Sequence, residues 1–259
     1  MQLNLKDKTV LITGASKGIG LAIAKTFAEE GCHLHLAARN GAAMEAAKSA
    51  IQSAHGVKVT VHAADLSSTA AMEALVEATG TVDILINNAG DIPAGPLDIL
   101  GDADWRRGFD LKVFGYITLA RLLYPRMKGR DGVIVNVIGN SGENWDAGYI
   151  AGSTGNAALM SFTKALGGAS LNHGVRVVGV NPGPVATDRM VKLMKRKAID
   201  MLGDEARWEE LFDKYPGKRP ASSEEVADLV AFLASPKAGY ITGTIVTIDG
   251  GIAARGSVI

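Results

Sequence analysis

Seven short apolar runs punctuate the chain, at Thr9–Thr13, His33–Ala37, Val57–Ala63, Val82–Ile86, Val133–Val137, Val175–Val180 and Thr244–Ile248. Most are continuously apolar instead of alternating with polar residues, the pattern of strands covered on both faces. Between them lie segments of helical period: Ile19–Glu30, Ala42–His55, Thr69–Ala78, Asp102–Met127, Ala151–Leu171 and Glu224–Ala234. Strand and helix taking turns in this way predict an α/β fold, a single-domain doubly wound parallel sheet with helices on both faces and right-handed crossovers. No change of composition, internal repeat or low-complexity tract divides the chain, so residues 1–259 read as one domain.

One connection breaks the rhythm. From Pro182 to Pro220 the chain is long and helical in pieces, and it carries Met190, Leu193, Met194, Met201, Leu202, Trp208 and Phe212. A long insertion at the carboxyl edge of a parallel sheet commonly forms a lid over the ligand crevice, and methionine-rich faces adapt to varied ligands. Residues 185–218 are therefore expected to form a substrate lid; the alternative is an ordinary amphipathic packing helix. The basic run Lys192, Lys195, Arg196 and Lys197 reads as a solvated face.

Composition narrows the function classes. Apolar residues make up 47% of the chain and charged residues 21%, enough for a sizeable core and too apolar for disorder. Lys+Arg and Asp+Glu are 27 each, so no charge imbalance draws the chain to nucleic acid or an anionic membrane. Cys32 is the only cysteine, which excludes an internal disulfide, and its apolar surroundings suit a buried, inert thiol. The N-terminus lacks an apolar signal core, and no run approaches the ~20 apolar residues that span a bilayer. A cytoplasmic location is expected.

Candidate chemistry first appears at Thr13–Gly20, T-G-A-S-K-G-I-G. The motif follows a strand and opens a helix, the context that gives a glycine pattern its meaning. Gly14 suits a tight turn, Gly18 lets the backbone approach a pyrophosphate, and Gly20 lets the helix pack near the strand. The pyrophosphate would rest on N–H groups at the helix N-terminus, in a Rossmann-type domain. The end of the second strand bears on the choice of dinucleotide. A carboxylate there would hydrogen-bond the adenosine ribose and repel a 2′-phosphate. This chain has Ala38 and Arg39 instead, and Lys17 adds a second cation, which favours NADP(H). The alternative for Arg39 is a surface residue stacked on adenine.

Together with D-L at 65–66, N-N-A-G at 87–90, N-P-G at 181–183 and I-D-G-G at 248–251, this motif resembles the short-chain dehydrogenase/reductase family over nearly the whole chain. The resemblance implies an NADP(H)-dependent oxidoreductase acting on a small molecule, with no metal. It implies Gly14, Ser16, Lys17, Gly18, Ile19 and Gly20 around the cofactor phosphates, joined by Arg39. Asp65 and Leu66 would lie at the adenine, and Asn88, Ala89 and Gly90 behind the cofactor. Pro182 and Gly183 lead to Val185 and Thr187, which would approach the nicotinamide carboxamide. A homo-oligomer, dimer or tetramer, is implied on the same basis.

In that family, carbonyl reduction relies on a tyrosine that supplies a proton and a lysine that lowers its pKa and holds the nicotinamide ribose. A serine polarises the carbonyl and an asparagine holds a relay water. Anchored on V-N-V-I-G-N at 135–140 and F-T-K-A-L at 162–166, the serine falls on Gly139, the tyrosine on Gly152 and the lysine on Asn156. Anchored on Trp105 and Phe109–Gly115, the asparagine falls on Lys112. Tyr124 and Lys128 have tyrosine–lysine spacing, but they sit at the far end of the preceding helix, where Pro125 and Gly129 are expected to end the turn.

Function has either moved or gone. In the first reading the lysine and asparagine are exchanged between helices, and Tyr149, with Asn140 and Ser141, presents polar groups just outside the lost positions. The candidate catalytic residues are then Tyr149, Lys112, Ser141 and Asn156. Gly139 and Gly152 would leave room for a bulky, apolar alcohol or ketone. The bland alternative makes Tyr149 an aromatic wedge and Lys112 a helix cation at an interface. In the second reading the chain binds NADP(H) without reducing carbonyls, as a regulator, an assembly partner, or a non-redox lyase or isomerase on the same fold. The helix after Tyr149 is small-sided, with Gly152, Ser153, Gly155, Ala157 and Ala158. Each interior glycine costs about 1 kcal/mol relative to alanine, and close helix packing would offset that.

Overall fold

The computed structural model describes residues 2–255. The seven apolar runs become seven parallel strands: β1 (Thr9–Thr13), β2 (His33–Ala38), β3 (Val59–Ala63), β4 (Ile84–Asn87), β5 (Gly132–Val137), β6 (Val175–Pro182) and β7 (Ile245–Ile248). They lie in the order β3-β2-β1-β4-β5-β6-β7. Continuous apolarity has the expected cause. Val10 and Ile12 of β1 point into one core layer and Leu11 into the other. The first layer is closed by α1 (Gly18–Glu29), α2 (Gly41–His55) and α8 (Ser223–Ala234), and the second by α3 (Thr69–Thr79), α5 (Gly115–Met127) and part of α6 (Ile150–Ser170). A buried ladder fixes the second face beneath the carboxyl edge. Asn87 Nδ2 donates to Asn136 Oδ1 (3.0 Å), and Asn136 Nδ2 donates to Thr163 Oγ1 (2.9 Å), tying β4, β5 and α6 together.

The segment Asp102–Met127 is helical throughout, as expected, with one irregularity. It consists of α4 (Asp102–Phe109), a π-helical turn at Asp110–Phe114, and α5. Pro125 lies inside α5 and does not end it; the helix runs on to Met127, and Gly129 turns the chain at φ +69°. Tyr124 and Lys128 are engaged away from the carboxyl edge. The Tyr124 hydroxyl meets His173 Nδ1 at 2.8 Å, and the Lys128 amine lies 5.4 Å from the centre of the Tyr124 ring.

Residues 185–218 form α7 (Asp188–Leu202) and two 3₁₀ stretches, Glu205–Lys214 and Pro216–Lys218. The segment is pinned at its root, where Ala186 N donates to Ala221 O (2.8 Å) and Ala221 N donates to Pro184 O (3.0 Å). Met194, Ala198 and Phe212 are buried, whereas Leu193, Ile199 and Met201 are exposed. In the basic run, Lys195 pairs with Glu205 and Arg196 with Asp200 on the surface. Cys32 is buried and donates to Leu5 O, and burial pushes its thiol up to about 12, as an inert thiol requires. Among the described residues no helix is long and apolar enough to cross a membrane, and no cluster of three metal-ligating side chains occurs.

Candidate active site

The strand order reverses between β1 and β4, which opens a crevice at the carboxyl ends of these strands. A cavity of about 530 Å³ occupies it. Gly14, Ser16, Lys17, Gly18, Ile19, Gly20, Arg39, Leu66, Asn88, Ala89, Gly90 and Thr187 line it. A Cβ on Gly20 would overlap the Gly14 carbonyl oxygen, so only glycine lets α1 start this close to β1. Lys17 caps α1 without a side-chain hydrogen bond, which leaves first-turn N–H groups to an anion in the cleft. Asn40, on the same wall as Arg39, caps α2 by accepting from Ala43 N. The cleft therefore offers two helix N-termini and two cations at one end, a fit for a phosphorylated adenosine and a pyrophosphate.

Four expected cofactor residues stand outside the lining. Asp65 turns its carboxyl to the Ser67 backbone N–H (3.1 Å) and hydroxyl (2.8 Å), and these bonds hold its pKa below the usual range. Pro182 is buried at the end of β6. Gly183 is pressed against Asp249, where an added Cβ would come within 2.6 Å. Val185 is part of the core and bridges to Ala221.

Gly139, Asn156, Lys112 and Gly152 lie close together. Gly139 follows β5 at φ +139°, and a Cβ there would sit 2.8 Å from Asn156 Nδ2. Asn156 is only 3% exposed; its Nδ2 donates to Ser141 Oγ at 2.7 Å, and its Oδ1 has no protein partner. Lys112 sits in the π-helical turn, a distortion that re-aims side chains and recurs at functional sites. Its stem lies against Gly90, and its amine donates a short hydrogen bond to the Ile138 carbonyl, one residue before Gly139. Burial, helped by Arg189, lowers the Lys112 pKa from 10.5 to about 8. Lys112 and Asn156 both approach the Ile138–Gly139 segment, from different helices.

Tyr149 is the N-cap residue of α6 and is held by a bridge to Gly95, whose N donates to Gly148 O at 2.8 Å. Its ring lies across Gly152, so any side chain at 152 would overlap ring carbons Cε1 and Cζ. Burial raises the Tyr149 pKa; Arg189 opposes the rise and Asp91 adds to it. The expected extra room for substrate is therefore not present. The Tyr149 ring fills the space beside Gly152, and Asn156 fills that beside Gly139. Asn140 points elsewhere, donating to Asp249 Oδ2 at 3.2 Å.

Two site residues had gone unnoticed in the sequence. Arg189, in the first turn of α7, donates to Asp91 Oδ1 (3.2 Å) and to Ile92 O (3.4 Å), and both charged residues line the cleft. The available signal was their position: Asp91 directly follows N-N-A-G, and Arg189 lies two residues after Thr187.

A glycine loop opening on a cleft at the switch point of a parallel sheet defines a dinucleotide-binding fold, and Lys112, Tyr149, Ser141 and Asn156 lie outside the lining of that cleft. The model of the short chain dehydrogenase family matches residues 8–198, and the chain belongs to that family. The NADPH-dependent reductase BacG of Bacillus subtilis is 34% identical over 260 residues, covering 95% of this chain and 98% of that protein. The 3-oxoacyl-(acyl-carrier-protein) reductase FabG of Chlamydia trachomatis is 30% identical over 254 residues, covering 96% and 98%. The crystal structure of L-sorbose reductase from Gluconobacter frateurii, complexed with NADPH and L-sorbose, superposes with a TM-score of 0.93 at 33% identity, covering 98% of this chain and all of that one.

Proposed function

We propose that the protein is an NADP(H)-dependent oxidoreductase that interconverts a ketone and an alcohol with relocated proton donors, Tyr149 and Lys112. The observation that carries this reading is the Tyr149 ring lying across Gly152. The phenol missing at residue 152 would be supplied by the N-cap residue of α6, whose ring occupies the space beside Gly152. Lys17 and Arg39 would hold the 2′-phosphate, the first turn of α1 the pyrophosphate, and Thr187 the nicotinamide end. When bound, NADPH supplies the hydride that turns a carbonyl carbon into a secondary alcohol. Tyr149 presents its phenol to the carbonyl oxygen, and Lys112 holds an ammonium whose proton is transferable near neutral pH. Ser141 orients Asn156, whose free Oδ1 is an acceptor for a cofactor hydroxyl. Residues 185–218 act as the lid, and the exposed Leu193 and Met201 offer apolar surface to the hydrocarbon part of a substrate.

The test is NADPH oxidation across a carbonyl panel, followed by Tyr149→Phe and Lys112→Met. Each variant is expected to lose about 10²–10⁴ in turnover, with NADPH still bound. Unchanged turnover in both would refute the relocation. Failure of every carbonyl to oxidise NADPH would favour a silent NADP(H)-binding protein or a non-redox lyase or isomerase. A homo-oligomer, dimer or tetramer, belongs to the same reading and is checked by sedimentation.

A further inference from the structure

The proton donors share their surroundings with Arg189. The loop after β4 joins them. Gly90 carries the stem of Lys112, and Ile92 Cδ1 packs 3.0 Å from where a Gly155 side chain would begin, one residue from Asn156 on α6. Arg189 grips the loop between these points, at the Asp91 carboxylate and the Ile92 carbonyl. Its charge is felt at both Lys112 and Tyr149. A guanidinium has five N–H donors in a planar fork. Two nitrogens of Arg189 are engaged, once each, and its side chain is 61% exposed on the wall of the cleft.

We propose that Arg189 docks a substrate carboxylate and that the substrate is an oxo acid, reduced to the hydroxy acid. This rests on the reductase reading of the same site. On the cleft wall Arg189 meets the exposed Asp91, whose carboxylate holds the guanidinium in place without saturating it. The other carboxylate on this wall, Asp188, is in the first turn of α7, where it complements the helix N-terminus. A neutral ketone gains nothing from a fixed, half-used guanidinium. A carboxylate matches its fork and forms charge-assisted hydrogen bonds. Acids with the ketone one or two carbons from the carboxylate bring one group to Arg189 and the other to Tyr149 and Lys112. The overall exchange is balanced: oxo acid, NADPH and one proton give hydroxy acid and NADP⁺.

The experiment compares kcat/KM for 2-oxo and 3-oxo acids with that for their methyl esters, in the unmodified protein, Arg189→Gln and Arg189→Lys. Calorimetry of oxamate, a non-reducible oxo-acid mimic, with the NADP⁺-loaded protein gives a readout independent of turnover. Acids are expected to exceed esters by about 10- to 100-fold. Arg189→Gln should bring that ratio near one and abolish oxamate binding, and Arg189→Lys should restore part of both. Esters equal to acids, an equal loss for both in Arg189→Gln, or oxamate binding that survives in Arg189→Gln would overturn the proposal. If no carbonyl oxidises NADPH, the reductase reading fails on its own account. Oxamate binding that depends on Arg189 would still uphold the carboxylate site, and its absence would sink it.

Discussion

Ketone reduction by this protein should weaken as the pH rises through about 8. Burial, with Arg189 as the second cause, holds Lys112 at about 8 in place of 10.5. The ammonium is the form that can give up a proton. With that pKa, about 90% of the protein carries it at pH 7 and about 10% at pH 9, so kcat/KM for reduction should fall roughly tenfold across the interval. An ordinary lysine would stay protonated throughout and give a flat profile. The assay is the initial rate of NADPH absorbance loss at saturating NADPH and low ketone, at constant ionic strength. Two variants locate the limb. Lys112→Arg keeps the charge but cannot titrate, and its profile should be flat, at a lower rate. Arg189→Gln removes one of the two causes of the shift and should move the limb to higher pH. A flat profile in the unmodified protein, or the same limb in Lys112→Arg, would show that Lys112 is not the titrating donor.

Three further outcomes are expected. Lys17→Ala and Arg39→Ala should each weaken NADPH by about 10- to 100-fold and leave NADH nearly unaffected, measured by fluorescence titration; equal losses for both cofactors would remove these cations from the 2′-phosphate. Gly152→Ala should cost as much turnover as Tyr149→Phe, because the new methyl overlaps the Tyr149 ring; circular dichroism should remain native, and full activity would contradict the placement of that ring. Acid should destabilise the protein through His35 and His62, whose Nδ1 and Nε2 lie 2.8 Å apart. Burial first, then His62, holds His35 near 4, whereas the unfolded chain takes up a proton near 6.5. This contribution is therefore present above pH 6.5 and lost as the pH falls towards 4. Urea midpoints should drop through that window, and less steeply in His62→Gln; identical slopes would discount the pair.

The strands were legible because a strand covered on both faces has no polar side to interrupt it, as Val10, Leu11 and Ile12 illustrate. The glycine loop was legible because its demands are local. The π turn between Phe109 and Gly115 was not, since D-L-K-V-F needs neither proline nor glycine to widen the helix. Position 152 could be read as a loss from the sequence, but not as a space already filled. That depends on the turn of chain at Tyr149 and its bridge to Gly95, more than fifty residues away. Arg189 and Asp91 escaped for the same reason: they meet across 98 residues of sequence. At Asp65 the family motif suggests a ligand, and the structure adds that a serine two residues on holds one carboxylate oxygen, Oδ1.

The Tyr149–Gly152 arrangement also constrains how this site can change by mutation. Restoring a tyrosine at 152 alone would drive two aromatic rings into one volume. Trimming Tyr149 alone would leave the site with no phenol at all. On the proposed reading, either step by itself passes through a disabled protein, so the two positions would have to change together. The same logic holds at the second exchange, where a side chain added to Gly139 would run into Asn156. On the proposed reading, these pairs make the site a separate local optimum, from which single substitutions would not lead to a tyrosine at 152 or a serine at 139.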